Sequence, residues 1–218
     1  MRDLTLDPTL HTDTDSTTDV AIHPTIIQGG MGVAVSDWRL AAAVGTLGQL
    51  GVVSGTALDV VHARRLGDGD DGGHLRRAYA HFPVPSLATR VLDRWFAPGG
   101  RAEGAGYRRV PLGRIESPTA LRELTVIANF AEVWLAKEGH DGPIGVNYLE
   151  KLQLPTPDAV YGAMLAGVDY VLMGAGIPIQ IPRLLTDLAH GRSVEYRVTV
   201  ADSDPASKSV VQFEPTEM

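Results

Sequence analysis

The segment of residues 25–36, which reads TIIQGGMGVAVS, constrains the fold most strongly. It predicts a short buried strand that leads into a glycine-rich loop, with a helix beginning near Asp37. Adjacent glycines at the carboxyl end of a strand let the backbone approach a ligand without an intervening Cβ. Ligands bind at that end of the strands in barrels and other α/β folds. A tight turn without a ligand is the alternative interpretation of these glycines.

Composition narrows the class of protein. The chain has 218 residues, enough for one sizeable core, and its net charge of −7 argues against nucleic acid as a partner. It contains no cysteine, which excludes disulfides and thiolate metal sites. No apolar run approaches the ~18 residues of a membrane span, and residues 1–21 lack the pattern of a signal peptide. We expect a flexible leader at 1–21 and a cytoplasmic protein with neither nucleic acid nor membrane as partner.

Residues 22–58 follow a strand–helix–strand rhythm. Asp37 is placed to cap a helix over residues 38–47, and residues 50–55 form the second predicted strand. The helix is expected to bury one face, made of Leu40, Ala43, Val44 and Leu47. Short continuous apolar runs in the strands favour a parallel sheet that is covered on both faces.

The rhythm is interrupted at residues 59–115, where we expect a helical insertion with helices near 58–66, 74–82 and 86–96. Such an insertion usually forms a lid or a partner surface. Residues 107–112 could be a short extended piece. The βα rhythm resumes over residues 116–192, with a long helix ending near Lys137, strands at 143–148 and 169–173, and helices at 158–166 and 182–190. Residues 193–218 alternate like an antiparallel hairpin.

Three predicted strands end in groups that suit a ligand: Gln28-Gly29-Gly30-Met31, Asn147-Tyr148 and Gly174-Ala175-Gly176. Parallel strands present their carboxyl ends on one side, so these groups could line one pocket. They offer hydrogen-bond donors and acceptors but no general base, which suits holding a planar ring rich in heteroatoms. Asn147 could instead cap a loop, and Gly174 and Gly176 could be turn glycines.

The same residues carry a resemblance to a known family. The segments 26–32 (IIQGGMG), 144–147 (IGVN) and 173–178 (MGAGIP) resemble the flavin-binding strands of the nitronate monooxygenase family, formerly called 2-nitropropane dioxygenase-like. The resemblance implies an FMN cofactor and an α/β fold, here a partial (β/α)8 TIM-type barrel of about four parallel strands with an inserted helical segment. It also implies that Gln28, Gly29, Gly30 and Met31 pack around the isoalloxazine ring. Asn147 would hydrogen-bond the flavin, and Gly174 and Gly176 would leave room beside it.

The reaction implied is oxidation of an alkyl nitronate with O2, or hydride transfer to an activated alkene in the enoyl reductase branch of the family. In the family, later strands carry a histidine in a Gly-Gly-His setting and glycine-rich phosphate loops. No later predicted strand of this sequence has either feature, and Gly72-Gly73-His74 lies in the helical insertion. We therefore expect an N-terminal portion of such an enzyme, with a second chain or a further copy completing the barrel. A non-catalytic half-barrel subunit and a different α/β fold complete at this length are the alternatives.

The histidines offer no substitute base. His23 precedes the first strand, His62, His74 and His81 lie in the insertion, and His140 and His190 lie at helix ends, where the helix dipole favours a cation. We expect surface or capping roles for them and assign no catalytic residue. The acidic cluster of Asp68, Asp70 and Asp71 lacks a suitably spaced bidentate glutamate, so no metal site is predicted.

Overall fold

The computed structural model describes residues 23–200 and 209–218, which form a mixed α/β structure. The expected leader at 1–21 and the turn expected at 202–207 between the two hairpin strands lie outside the described residues. The helices are α1 (Trp38–Gly45), α2 (Leu58–Gly67), α3 (His74–Tyr79), α4 (Pro85–Trp95), α5 (Thr119–Lys137), α6 (Thr156–Leu165) and α7 (Ile181–Ala189). The strands are β1 (Gly51–Ser54), β2 (Ile144–Leu149), β3 (Tyr170–Gly174), β4 (Val194–Val198) and β5 (Ser209–Phe213).

The central element is a parallel sheet of three strands in the order β1-β2-β3. Ser54 lies opposite Asn147, and Asn147 lies opposite Leu172, so the carboxyl ends of the strands lie side by side. Over the described residues the sheet stays open and does not close into a barrel. The predicted α/β class with parallel strands is confirmed at this coarser level.

The first predicted strand forms only in part. Residues 25–28 lie parallel to β1, but a single bridge between Ile27 and Leu50 joins them. The expectation that this strand is buried is wrong, because Ile26 and Ile27 are 62% and 59% exposed. Backbone pairing stops after the bridge because a side chain takes the place of a backbone acceptor. The next N–H of β1 on this edge, that of Val52, donates to Gln28 Oε1 at 2.9 Å. The segment is therefore an exposed edge of the sheet.

The helices that contact the sheet lie on one of its faces. On that face, Gly51 lies against Ala41 of α1, where an added Cβ would overlap the Ala41 carbonyl, and the Tyr148 hydroxyl bonds Asn129 of α5. The opposite face carries Val52, Gly145, Asn147 and Leu172, and we call it the helix-free face. Of the described elements, the loop of residues 29–36 (the glycine loop) covers part of it. Val52 and Asn147 are buried on this face, whereas Tyr170 is exposed. Within the described residues, the expected cover on both faces is therefore present only in part.

Helix α1 begins after its cap at Asp37, as predicted, but it buries a different face. Asp37 Oδ1 accepts from the N–H groups of Arg39 and Leu40 at 3.0 and 3.4 Å. Ala41 and Gly45 are buried, whereas Leu47 is 77% exposed and Leu40 is also exposed. The small residues face the sheet because the helix lies close to it: a Cβ at Gly45 would come 2.9 Å from Ile144 Cδ1. Leu40 of α1 is left on the surface, whereas Trp38 packs partly buried against the core.

The remaining elements follow the predicted order. Helices α2, α3 and α4 lie within the expected insertion, whereas residues 107–112 form no strand. Helix α5 packs closely on α6 at Gly162, where a Cβ would overlap the Val126 carbonyl oxygen. Strands β4 and β5 pair antiparallel, which confirms the hairpin, and Phe213 of β5 packs on Tyr161 of α6. None of the helices in the described ranges is long and apolar enough to cross a membrane.

Candidate functional site

The carboxyl ends of the strands bring four of the predicted site residues together. Asn147 Nδ2 donates to the Gly30 carbonyl at 3.1 Å and lies 3.2 Å from Met31 Sδ. Gly174 lies beside them, since a Cβ added there would come 3.7 Å from Asn147 Oδ1. Gly30, Met31, Asn147 and Gly174 therefore share one corner of the helix-free face.

Asn147 is oriented by the glycine loop and keeps one polar atom free. Its side chain is almost fully buried, and its amide nitrogen is held by Gly30 and Met31. Among the described residues no donor reaches its Oδ1. This oxygen is not sealed from solvent, so it is available to accept a hydrogen bond from a ligand that reaches the corner.

The two glycines of the loop differ in their surroundings. A Cβ at Gly30 would overlap Val52 Cγ1 and come 2.9 Å from the Val53 carbonyl, so the backbone lies directly on β1. A Cβ at Gly29 would meet only Met31 Cγ, at 4.0 Å, and faces open space. Within the described ranges, the N–H groups of Gly29 and Gly30 donate to no other group. Gly29 is thus the glycine with room for a ligand, and Gly30 is required by packing.

Two predicted site residues are placed differently from the others. Both polar atoms of the Gln28 side chain are bonded within the protein. Its Oε1 accepts the Val52 N–H of β1, and its Nε2 donates to the Gly29 carbonyl oxygen at 2.9 Å. Gly176 lies against Glu150 rather than Asn147, because a Cβ there would come 2.5 Å from Glu150 Oε2 and 2.6 Å from its Cβ. Both residues shape the strand ends without joining the corner around Asn147.

Ser36 was missed by the sequence reasoning, although it fixes the shape of the glycine loop. It is buried, and its hydroxyl lies 2.8 Å from the Met31 carbonyl and 3.1 Å from that of Gly29. Its own carbonyl accepts the N–H of Ser54 at 2.8 Å. Ser36 therefore ties both ends of the loop to the end of β1. A small polar residue just before the Asp37 cap was the only sequence signal.

The surface role expected for His62 is wrong. His62 is fully buried, with Nε2 2.9 Å from Glu132 Oε2 and Nδ1 3.2 Å from the Tyr79 hydroxyl. Burial favours a raised pKa for Glu132, but the hydrogen bond and charge of His62, then Arg65, outweigh it and hold that pKa below its usual range. Arg65 Nη1 lies 3.2 Å from Glu132 Oε2. This network joins α2, α3 and α5 away from Asn147.

The other expected histidine roles can be compared with their contacts. His140 caps the end of α5, where its Nε2 lies 2.7 Å from the Ala136 carbonyl oxygen. His190 makes a similar contact with Thr186 at the end of α7, at 2.7 Å. His81 stacks on Trp134, and His74 lies against Trp38. Each of these four is thus engaged at a helix end or on an aromatic ring.

The corner around Asn147 offers hydrogen-bonding groups but no general base. Tyr148, the next residue, faces the helices, where its hydroxyl oxygen lies 2.9 Å from both of its possible acceptors, Asn129 Oδ1 and the Ala159 carbonyl oxygen. Burial raises the Tyr148 pKa far above its usual range, so it stays protonated. Among the described residues no cluster of three or more His, Cys, Asp or Glu side chains could hold a metal ion.

Comparisons with known proteins add no relative. No family model matches the chain, and neither a curated protein nor a solved structure is significantly similar to it.

Proposed function

We propose that this chain carries the ring-binding part of an FMN site in a flavin oxidoreductase of the nitronate monooxygenase type, built on part of a (β/α)8 barrel. The observation that carries the proposal is the position of Asn147. Its amide nitrogen is fixed by Gly30 and Met31, and its Oδ1 is left free beside Gly174. The resemblance of the three strand-end segments supplies the identity of the ring.

The donors and acceptors around Asn147 fit an isoalloxazine edge. The free N–H group of Gly29 can donate to a ring carbonyl oxygen or nitrogen, and Asn147 Oδ1 can accept from a ring N–H. Met31 is exposed beside them and offers a polarizable thioether to an aromatic face. The open space at Gly29 lets the ring approach the backbone.

Bound FMN would supply the electron transfer, in which the nitronate is oxidised and O2 is reduced. The residues of this chain would hold the ring, exclude water from the Gly30 side and fix its height above the strand ends. In the enoyl reductase alternative the same residues would hold the ring in the same way, and the substrate would be an activated alkene.

The open sheet favours a barrel that is completed by further strands. A parallel sheet is ordinarily covered on both faces, whereas the helices contacting this sheet cover one. Eight strands give a barrel whose interior side chains fill the space, and the three strands with the bridged segment 25–28 supply about half of that number. A half-barrel subunit that pairs with a second chain or a further copy is the second candidate, favoured by the exposed edge at Ile26 and Ile27.

The test is FMN binding, measured by fluorescence quenching of the flavin with the purified chain. We expect wild type to quench FMN and Asn147→Ala to weaken binding by about fivefold to tenfold, the effect of one hydrogen bond. Gln49→Ala is the matched control, because Gln49 Oε1 holds the N–H groups of Thr25 and Ile26 at the other end of the same segment. Equal binding by Asn147→Ala and Gln49→Ala would contradict the proposal.

A further inference from the structure

A second binding site is indicated by a cavity on the helix-covered side of the strand ends. It has a volume of about 230 Å³ and lies between the segment 110–113, the start of α2 and the ends of β1 and β2. Tyr148 lines it, whereas the neighbouring Asn147 faces the opposite side of the sheet. The cavity is therefore separate from the proposed flavin corner, and the inference does not depend on the flavin.

The walls of the cavity are mainly apolar, and their polar groups are largely satisfied within the protein. Leu58, Val110, Leu149 and Leu152 supply much of the apolar surface. The Tyr148 hydroxyl bonds Asn129 and the Ala159 carbonyl, and the Thr125 hydroxyl donates to Leu121 at 2.9 Å. These groups leave little for a ligand to bind by hydrogen bonding.

Asp59 is the exception. Asp59 lines this cavity and the adjoining one of about 340 Å³, so it stands where the two meet. Burial raises its pKa, although the N–H groups of Val60 and Asp59 and the charge of His62 act against that rise. No side chain of the described residues makes a hydrogen bond or an ion pair with it. A partly buried carboxylate in an apolar wall gains from a donor that a ligand brings.

The outer wall of the cavity is formed by residues 110–113, which belong to no helix or strand. Leu112 in this segment is 86% exposed. Leu152, which lines both cavities, is half exposed at the rim. A ligand can therefore enter from the solvent side between Leu112 and Leu152 without disturbing the core.

We propose that this cavity binds a small, mainly apolar molecule that donates a hydrogen bond to Asp59. The volume suits a single ring or a short chain, and the lone carboxylate selects for an N–H or O–H group on it. An ammonium group and a neutral hydroxyl share this chemistry.

The experiment uses three probes of one shape: benzylamine, benzyl alcohol and toluene. Their binding to the full chain is measured by ligand-detected NMR titration. We expect benzylamine or benzyl alcohol to bind about fivefold more tightly than toluene, with dissociation constants on the order of 1 mM. The amine and the alcohol separate a cationic donor from a neutral one. Equal binding of all three probes would overturn the role of Asp59.

Two variants test the site itself. Asp59→Leu should remove the preference for the donors and leave toluene binding in place. Leu152→Trp should weaken every probe by about fivefold or more, since the indole fills the rim. Leu47→Trp is its control, because Leu47 is exposed at the end of α1. Thermal melting of each variant reports folding, and unchanged probe binding in a folded Leu152→Trp variant would overturn the site.

Discussion

Asn147 and Gly30 lie 117 positions apart in the chain, yet the Asn147 side chain donates to the Gly30 carbonyl oxygen at 3.1 Å. This bond joins the end of β2 to the glycine loop across β1. It leaves the free Oδ1 of Asn147 beside Gly174, where an added Cβ would come 3.7 Å from it. The proposed flavin site depends on this hydrogen bond between Asn147 and Gly30.

The two adjacent glycines should respond differently to alanine. Gly30→Ala places a Cβ against Val52 and 2.9 Å from the Val53 carbonyl, so we expect unfolding free energy to fall by about 1–3 kcal/mol. Gly29→Ala meets nothing closer than 4.0 Å and should change stability by less than about 0.5 kcal/mol. Urea unfolding of both variants is the measurement. A Gly29→Ala loss as large as that of Gly30→Ala would show that the loop packs differently.

Removing the buried carboxylate of Glu132 should destabilise the protein more than removing an exposed carboxylate. Glu132→Gln leaves His62 and Arg65 without their carboxylate, and breaking such a buried pair costs about 3–5 kcal/mol. The control is Glu138→Gln, whose exposed pair with Arg77 at 2.8 Å is worth about 0–1 kcal/mol. Chemical denaturation at neutral pH compares them. Equal losses would contradict the assigned network.

The Glu132 network also predicts a pH dependence. The pKa of Glu132 is lower in the folded protein than in the unfolded chain. Its stabilising contribution to the free energy of unfolding is therefore complete above about pH 4.3 and is lost as the pH falls through the folded pKa. Wild type should therefore lose stability more steeply in acid than Glu132→Gln does. Parallel acid unfolding curves for the two proteins would be inconsistent with the lowered pKa.

Asp158 should have the opposite effect on the pH dependence of stability, because its ionisation destabilises the folded protein. Burial raises its pKa to about 6, and the charge and hydrogen bond of Arg122, whose Nε lies 3.0 Å from Oδ1, only partly offset this. The folded protein then holds a proton that the unfolded chain releases near pH 4, so this residue lowers stability as pH rises from about 4 to about 6. Its full ionisation costs roughly 3 kcal/mol.

Asp158→Asn tests this dependence because asparagine still accepts the Arg122 N–H but does not ionise in this range. We expect the unfolding free energy of Asp158→Asn to fall less than that of wild type between about pH 4 and about pH 7. Urea unfolding across that range is the measurement. The same slope in both proteins would contradict the raised pKa.

Regular periodicity made most helices and the parallel strands predictable. The predicted buried face was wrong for α1, where the size of the side chains rather than their polarity decides which of them contact the sheet. In α1, Ala41 and Gly45 face the sheet because large side chains would keep the helix from approaching it, so the predicted stripe of Leu40 and Leu47 was left exposed. Spacing alone does not reveal how closely a helix lies against a sheet.

Two polar side chains have partners that the sequence reasoning did not find. His62 lies in helical register with Leu58 and Leu66, which was a signal of burial, but its partner Glu132 is 70 residues away. Gln28 was assigned to the flavin from the family resemblance, whereas its Oε1 accepts the Val52 N–H of β1. Long-range pairing decided both cases.

The most direct measurement compares FMN with lumiflavin, the same ring without ribityl phosphate, in fluorescence titrations of the wild-type chain. The residues around Asn147 face a ring, and no phosphate loop was found in the sequence, so the two flavins should bind within about threefold of each other. The dissociation constants should be on the order of 0.1 mM. Failure of both flavins to bind at millimolar concentration, or FMN binding that depends on its phosphate, would contradict the account.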